Sequence, residues 1–219
     1  MKQLQIPYLS LPRKSFGVHE ISKLLDLQTA ENINVLPWPL YNYQPDASFA
    51  IAHDGQTIFL KYYVTEKETK TVYTEINDPV YRDSCVEFFI NFDNAPSYYN
   101  LEFNSNGVCL AGYGSGRENR KMLTAAVISQ IKCFTHSGPS SDTIGNYWEL
   151  CLAIPISVFC FDELSDLTGK SFKANFYKCG DDLAEPHFLV WNNIVSKEPD
   201  FHVPEYFGEL TFGSTPILN

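Results

Sequence analysis

A chain of 219 residues with 15% aromatic and 44% hydrophobic residues holds ample apolar side chain for a core, which excludes a disordered segment. A chain of this length buries roughly 70% of the surface that its unfolded form exposes, so neither a metal nor a disulfide is needed to build that core. The formal charge of −10 argues against nucleic acid, because phosphate binding rests on Lys and Arg displacing counterions, and the densest basic stretch, Arg117-Glu-Asn-Arg120-Lys121, is short and interrupted by an acid.

The first residues, Met1-Lys-Gln-Leu-Gln-Ile-Pro7, lack the apolar run of about 7–15 residues that a signal peptide needs. The longest apolar stretch, Leu150 to Phe161, is broken by Pro155 and Ser157 and is too short for a membrane span of roughly 20 residues. As written the chain reads as soluble and cytoplasmic with no membrane partner, although a piece cut from a longer precursor would read the same. Residues 1–45 are rich in proline (Pro7, Pro12, Pro37, Pro39, Pro45) and poorly periodic, and are expected to wrap a core spanning 46–213. Within them, Ile21 to Gln28 fits two helical turns.

From residue 48 the period becomes that of strands. Ser48–His53 and Gln56–Val64 flank Asp54-Gly55, a hairpin signature. Cys85–Phe92 is a strand ended by an Asp93-Asn-Ala-Pro96 loop, and Tyr98–Phe103 and Gly107–Tyr113 flank a second turn at Asn104-Ser-Asn-Gly107. Tyr147–Ile154 follows, with Pro155 placed to start a short helix. Ser171–Lys178, His187–Trp191 and Gly208–Phe212 complete the set. Many short strands without alternating helices of 10–15 residues predict an all-β, antiparallel β-sandwich with short helices in the connections. No repeat or linker divides it, so one domain is expected.

The chemistry-bearing residues are few. G-x-S-x-G, P-loop and H-E-x-x-H patterns are absent, and Gly112-Tyr-Gly114-Ser-Gly116 has loop spacing rather than dinucleotide-binding spacing. Five scattered histidines supply no zinc spacing, and His53 beside its turn reads as a surface residue. Six cysteines without C-x-x-C, several in apolar runs, read as reduced structural thiols. Glu87 stands out. Its strand is apolar on both faces, so its carboxylate is partly buried and requires a partner: an internal ion pair, a backbone hydrogen bond or a ligand hydroxyl. Two loops carry aromatics among polar and proline residues, Asp78-Pro-Val-Tyr81-Arg82-Asp83 and Pro199-Asp-Phe201-His202-Val-Pro204. A ring on a loop either plugs the end of the sandwich or offers a flat apolar face to a sugar ring.

The stretch Tyr81-Arg-Asp-Ser-Cys-Val-Glu-Phe-Phe-Ile-Asn91 resembles the W-x-x-D-S-V-E-[IF]-F-[IF]-[DN] core of family 9 carbohydrate-binding modules, with one extra residue between Ser84 and Val86. Matches continue in family order through Tyr99-Asn-Leu-Glu-Phe103, Tyr147-Trp-Glu to Ala153-Ile-Pro155, Phe172-Lys-Ala-Asn-Phe176, Val190-Trp191 and Phe201 to Leu210. The chain looks most like the free-standing branch, not the xylanase-linked modules, and the family context is polysaccharide utilisation. The resemblance implies a β-sandwich, often with bound calcium, that grips a mono- or oligosaccharide end between two aromatic rings. It places those rings at Tyr81 and Phe201, where linked modules carry Trp. The hydroxyl-binding acid falls on Glu87, a family Arg on Asn100 and a polar position on His202. Trp191 matches a family Trp, read first as core and second as a site wall, and Arg82 beside Tyr81 joins the candidate set. Calcium ligands are not placed; Asp54, Asp78 and Asp83 are candidates because a hard cation wants several oxygens. Two other readings stand beside non-catalytic sugar binding: a glycoside-processing enzyme pairing Glu87 with Glu102 or Asp83, and a structural or partner-binding sandwich.

Overall fold

The computed structural model describes residues 1–11, 17–93, 96–139 and 145–217. Among the described residues there are thirteen strands: β1 (Gln3–Leu9), β2 (Glu31–Asn32), β3 (Asp46–His53), β4 (Thr57–Glu66), β5 (Cys85–Asn91), β6 (Tyr98–Asn104), β7 (Cys109–Gly114), β8 (Lys121–Met122), β9 (Lys132–Pro139), β10 (Asn146–Pro155), β11 (Ser171–Cys179), β12 (Phe188–Val190) and β13 (Gly208–Ile217). Hydrogen bonding runs β8-β7-β6-β5-β11-β13-β1-β3-β4-β10-β9, a curled sheet whose two halves face each other, with β12 on β11 and β2 on β3. Each expected strand from 48 onward forms, within a few residues at its ends. Both expected hairpin turns form too, with Gly55 and Gly107 at φ +91° and +80°. Of the loop expected at Asp93–Pro96, Asn94 and Ala95 lie outside the described residues, as does Pro12.

Period-2 alternation fills the space between the halves. Phe49, Ile51, Leu60, Tyr62, Leu150 and Leu152 point in from one side, and Val86, Phe88, Ile90, Leu101 and Phe176 from the other. Phe49 of β3 stacks on Phe176 of β11 at 3.7 Å between centroids, and Phe176 stacks on Phe88 at 5.0 Å. The Tyr62 hydroxyl donates across the core to the Glu87 carbonyl at 2.8 Å, satisfying a buried donor. Trp191 belongs to this core too, fully buried with its ring against Phe49 and Phe176.

Four strands depart from the expectation: β1, β2, β8 and β9. β1 is also parallel to both neighbours, β13 and β3, so the sheet is not antiparallel throughout. The N-terminal segment therefore contributes a strand that joins the two halves as well as wrapping them. Pro7 hid it: proline cannot donate to a ladder, and it sits at the irregularity between Ile6 and Tyr8, where β1 reaches from β13 toward β3. The expected helix forms as α1 (Val18–Leu25), with Ile21 and Leu25 one turn apart packed on Ala50, Ala52 and Phe59. Pro155 precedes a 3-10 turn, Ile156–Val158. His53 is not at the surface; it is buried between the rings of Tyr8 and Phe212, because β1 and β13 pass over its strand end. Among the described residues no helix is long and apolar enough to cross a membrane.

Candidate functional site

Helix α1 covers the outer face of β3, β4 and β10, whereas the outer face of β5, β6 and β11 is roofed by loops. On β5, the alternation that sends Val86, Phe88 and Ile90 inward sends Cys85, Glu87 and Phe89 outward. Antiparallel register then sets Glu87 opposite Glu102 of β6 and Tyr177 of β11, with Cys85 opposite Cys179. The roof leaves a cleft of about 360 Å³ over these residues, lined by Tyr81, Glu87, Asn100, Glu102, Phe201 and His202, with Arg117, Arg120, Asp181 and Phe188.

Each wall is fixed by local chemistry. Tyr81 lies in a 3-10 turn, Val80–Arg82, anchored by buried Val80, and its carbonyl accepts the Asp181 N–H at 3.1 Å. The next residue but one, Asp83, accepts the Val72 and Tyr73 N–H groups and Asn104 Nδ2, all at 3.0 Å, which pins the loop in front of the turn. On the opposite wall, Asp200 Oδ1 accepts the His202 N–H at 2.9 Å, a side-chain turn that holds Phe201 between them. Phe201 stacks on Tyr177 at 4.2 Å and touches Trp38 and Phe188, leaving 9% of it exposed. Tyr81 is not among its ring neighbours.

The floor is acidic and buried. Burial, then the proximity of Cys179 and Glu102, pushes the Glu87 carboxyl well above its ordinary range, and Cys179 Sγ donates to Glu87 Oε1 at 3.1 Å. Burial also raises Glu102, to about 7, against the opposing pull of Asn100 and Arg120. Glu102 Oε1 accepts from Asn100 Nδ2 at 2.8 Å, while the buried Oε2 has no hydrogen-bond partner among the described residues. Asp181 at the rim is raised by burial to about 6. His202 is held neutral, lowered to about 3 by burial and by Arg120 and Arg117, with Nδ1 2.9 Å from the Tyr98 hydroxyl.

Of the seven residues that the sequence singles out for the site, Tyr81, Glu87, Asn100, Phe201 and His202 meet in this cleft. The other two do not. Trp191 lies in the core between the sheets, its Nε1 donating to Glu31 at 3.1 Å, so it is not a site wall. Arg82 is exposed with its guanidinium 5.9 Å from the Tyr81 ring centre and does not line the cleft. Asn100 has both ends of its amide engaged, one by Glu102 and the other by Arg120 Nε at 2.7 Å. Arg120 was not anticipated. It stacks over Tyr98 at 4.5 Å and donates to the carbonyls of Tyr98, Gly112, Gly114 and Gly116. A Cβ at Gly112 would come within 3.0 Å of Asn100 Oδ1 and 3.3 Å of Arg120 Nε, so glycines with the spacing of a plain loop make room for this clamp. The basic stretch 117–121 was the one signal in the sequence that pointed here.

The candidate calcium acids do not converge. Asp54 accepts Gln56 and Thr57 N–H, Asp78 accepts Thr74 and Glu75 N–H, and Asp83 is consumed as described. Asp54 and Asp78 each cap their own turn and Asp83 is taken up by Val72, Tyr73 and Asn104, so these three do not gather into the several-oxygen cage that calcium requires. Asp83 does not line the cleft, which also removes it as a catalytic partner for Glu87.

A family model, carbohydrate-binding family 9, matches residues 19–212. No curated protein sequence matches the chain. Among solved structures, a protein of Bacteroides uniformis ATCC 8492, whose carbohydrate-binding designation is provisional, is 36% identical over 96% of this chain and 99% of its own, with a TM-score of 0.88. A family 9 module of Caldicellulosiruptor kristjanssonii in complex with glucose is 15% identical over the whole of both chains, with a TM-score of 0.59. The same organism's module with cellotriose is 14% identical at the same TM-score. At that identity these two complexes speak to the fold.

Proposed function

The chain belongs to carbohydrate-binding family 9, and on that premise we propose that the cleft over β5, β6 and β11 binds the end of a mono- or oligosaccharide without catalysis. The carrying observation is that two aromatic walls, Tyr81 and Phe201, and two buried acids, Glu87 and Glu102, line one cleft of about 360 Å³, toward the small end of ligand pockets. In this reading the rings cover the C–H faces of the sugar. The acids meet its hydroxyls; a carboxyl that retains its proton both donates and accepts. Arg117, exposed at the rim, supplies the donor fork that Asn100 does not, while Arg120 and Asn100 hold Glu102 in place. Glucose and cellotriose, bound by the structurally similar modules, are the first ligands to try. The pairing of Glu87 with Glu102 side by side on neighbouring strands suits a floor rather than two groups flanking a bond.

Calorimetric titration of a sugar panel tests this. Saturable one-to-one binding is expected for the wild type, weakened about tenfold or more by Tyr81→Ala, a truncation of an aromatic anchor. Phe201→Leu is expected to weaken it as well, while keeping most of the packing on Tyr177. Equal affinity in all three proteins would remove the cleft assignment.

A further inference from the structure

We propose that Cys85, Cys179 and Glu87 form a binding site for one soft divalent transition-metal ion, of the zinc type, set into the floor of the cleft. Cys85 and Cys179 stand opposite each other on β5 and β11, and Glu87 follows Cys85 by two residues on the same face. Their donor atoms all lie within 4.8 Å of one another. Among the described residues this is the one group of three or more His, Cys, Asp or Glu that converges in this way. Zinc sits about 2.3 Å from thiolate sulfur and about 2.0–2.2 Å from carboxylate oxygen, so an ion at the centre would reach all three with small side-chain movements.

The donor set selects the metal. Two thiolates favour zinc and its neighbours over calcium or magnesium, which want oxygen alone. Three protein ligands leave a fourth tetrahedral position, and Glu87 and Cys179 both line the cleft. Binding balances as one M²⁺ displacing the protons of both thiols and of the carboxyl, leaving a centre of net charge −1. Arg120 and Arg117 stand beside the cleft to offset it. The inference shares the Glu87 carboxyl with the sugar reading but does not depend on it, since it is read by metal uptake alone.

The test uses the full chain with the two exposed thiols removed (Cys133→Ser, Cys160→Ser), fully reduced and stripped of metal. Titration with Co²⁺ is expected to raise thiolate-to-cobalt charge-transfer absorption that saturates at one equivalent and is discharged by one equivalent of Zn²⁺. In that background Cys179→Ser is expected to lose most of the band. Glu87→Gln, which keeps both thiols and nearly the same shape, should keep the band and weaken affinity, since it replaces one of the three ligands. No saturable band in the reduced background protein overturns the proposal, as does a band indifferent to Cys179→Ser. An affinity unchanged by Glu87→Gln removes the carboxylate from it.

Discussion

Glu87 and Glu102 face each other across β5 and β6, where like charges directly opposite repel. Burial keeps protons on this pair that a solvated carboxylate would lose, and the nearby Cys179 and Glu102 raise Glu87 further. Between about pH 4.5 and 7 the folded chain therefore holds a proton at Glu102 that the unfolded chain does not, so this group's contribution to stability declines as pH rises through that window. Glu102→Gln removes the decline. Relative to wild type, the variant should gain on the order of 1 kcal/mol or more between pH 5 and pH 8, read by urea denaturation at each pH. His187 and His202, both lowered to about 3 by burial, impose the opposite slope below pH 6.5, but they are common to both proteins and cancel in the difference. A difference that is flat with pH, or that shrinks, would contradict the reading of the acid pair. Glu87 was legible in the sequence because a charge between apolar neighbours on a strand calls for a partner. Arg120 was not: it reaches Asn100 across twenty residues of chain from a loop, and no periodicity marks such a contact. For Trp191 the first reading, core, holds, and the second, a site wall, does not, because a motif match carries no information about which face of a strand-end residue is buried.

At the scale of elements, the hairpins and central strands were written in the alternation of apolar residues and in the glycines of their turns. Among the strands that went unseen, β2 and β8 are only two residues long, and the longer β1 and β9 lack that signature. β9 is an edge with mostly exposed side chains, and β1 is interrupted by Pro7. Yet β1 is the element through which the two halves of the sheet connect, pairing with β13 and touching β3. Its buried contacts are Ile6 and Leu9, while Gln5 between its partners is exposed. Ile6→Ala should cost about 2–5 kcal/mol, as large-to-small changes in a packed core do. Gln5→Ala, on the same strand with the same backbone pairing, should stay within about 0.5 kcal/mol. Chemical denaturation of the two variants decides; similar small losses in both would mean that β1 is an ornament on the sheet rather than part of its closure.

For the whole molecule, the sandwich was readable because strand period alone decides which side chains meet between the sheets. The cleft was only half readable. Its floor follows from the same period, but its roof is assembled from segments around residues 38, 81 and 201 whose meeting depends on the completed fold. The outer face of one half is sealed by α1, and on the other a cleft remains where acids and rings are gathered. A second groove, polar and lined by Tyr63, Tyr147, Asn32 and Asp46, lies elsewhere on the surface, so sugar binding by itself would not identify the site. The most direct measurement is a crystal structure of the chain soaked with the tightest-binding sugar of the panel. Density for a sugar ring between Tyr81 and Phe201, with a hydroxyl within about 3 Å of a Glu87 or Glu102 oxygen, is the predicted result. A sugar seated in the Tyr63–Tyr147 groove with the Tyr81 cleft empty would contradict it.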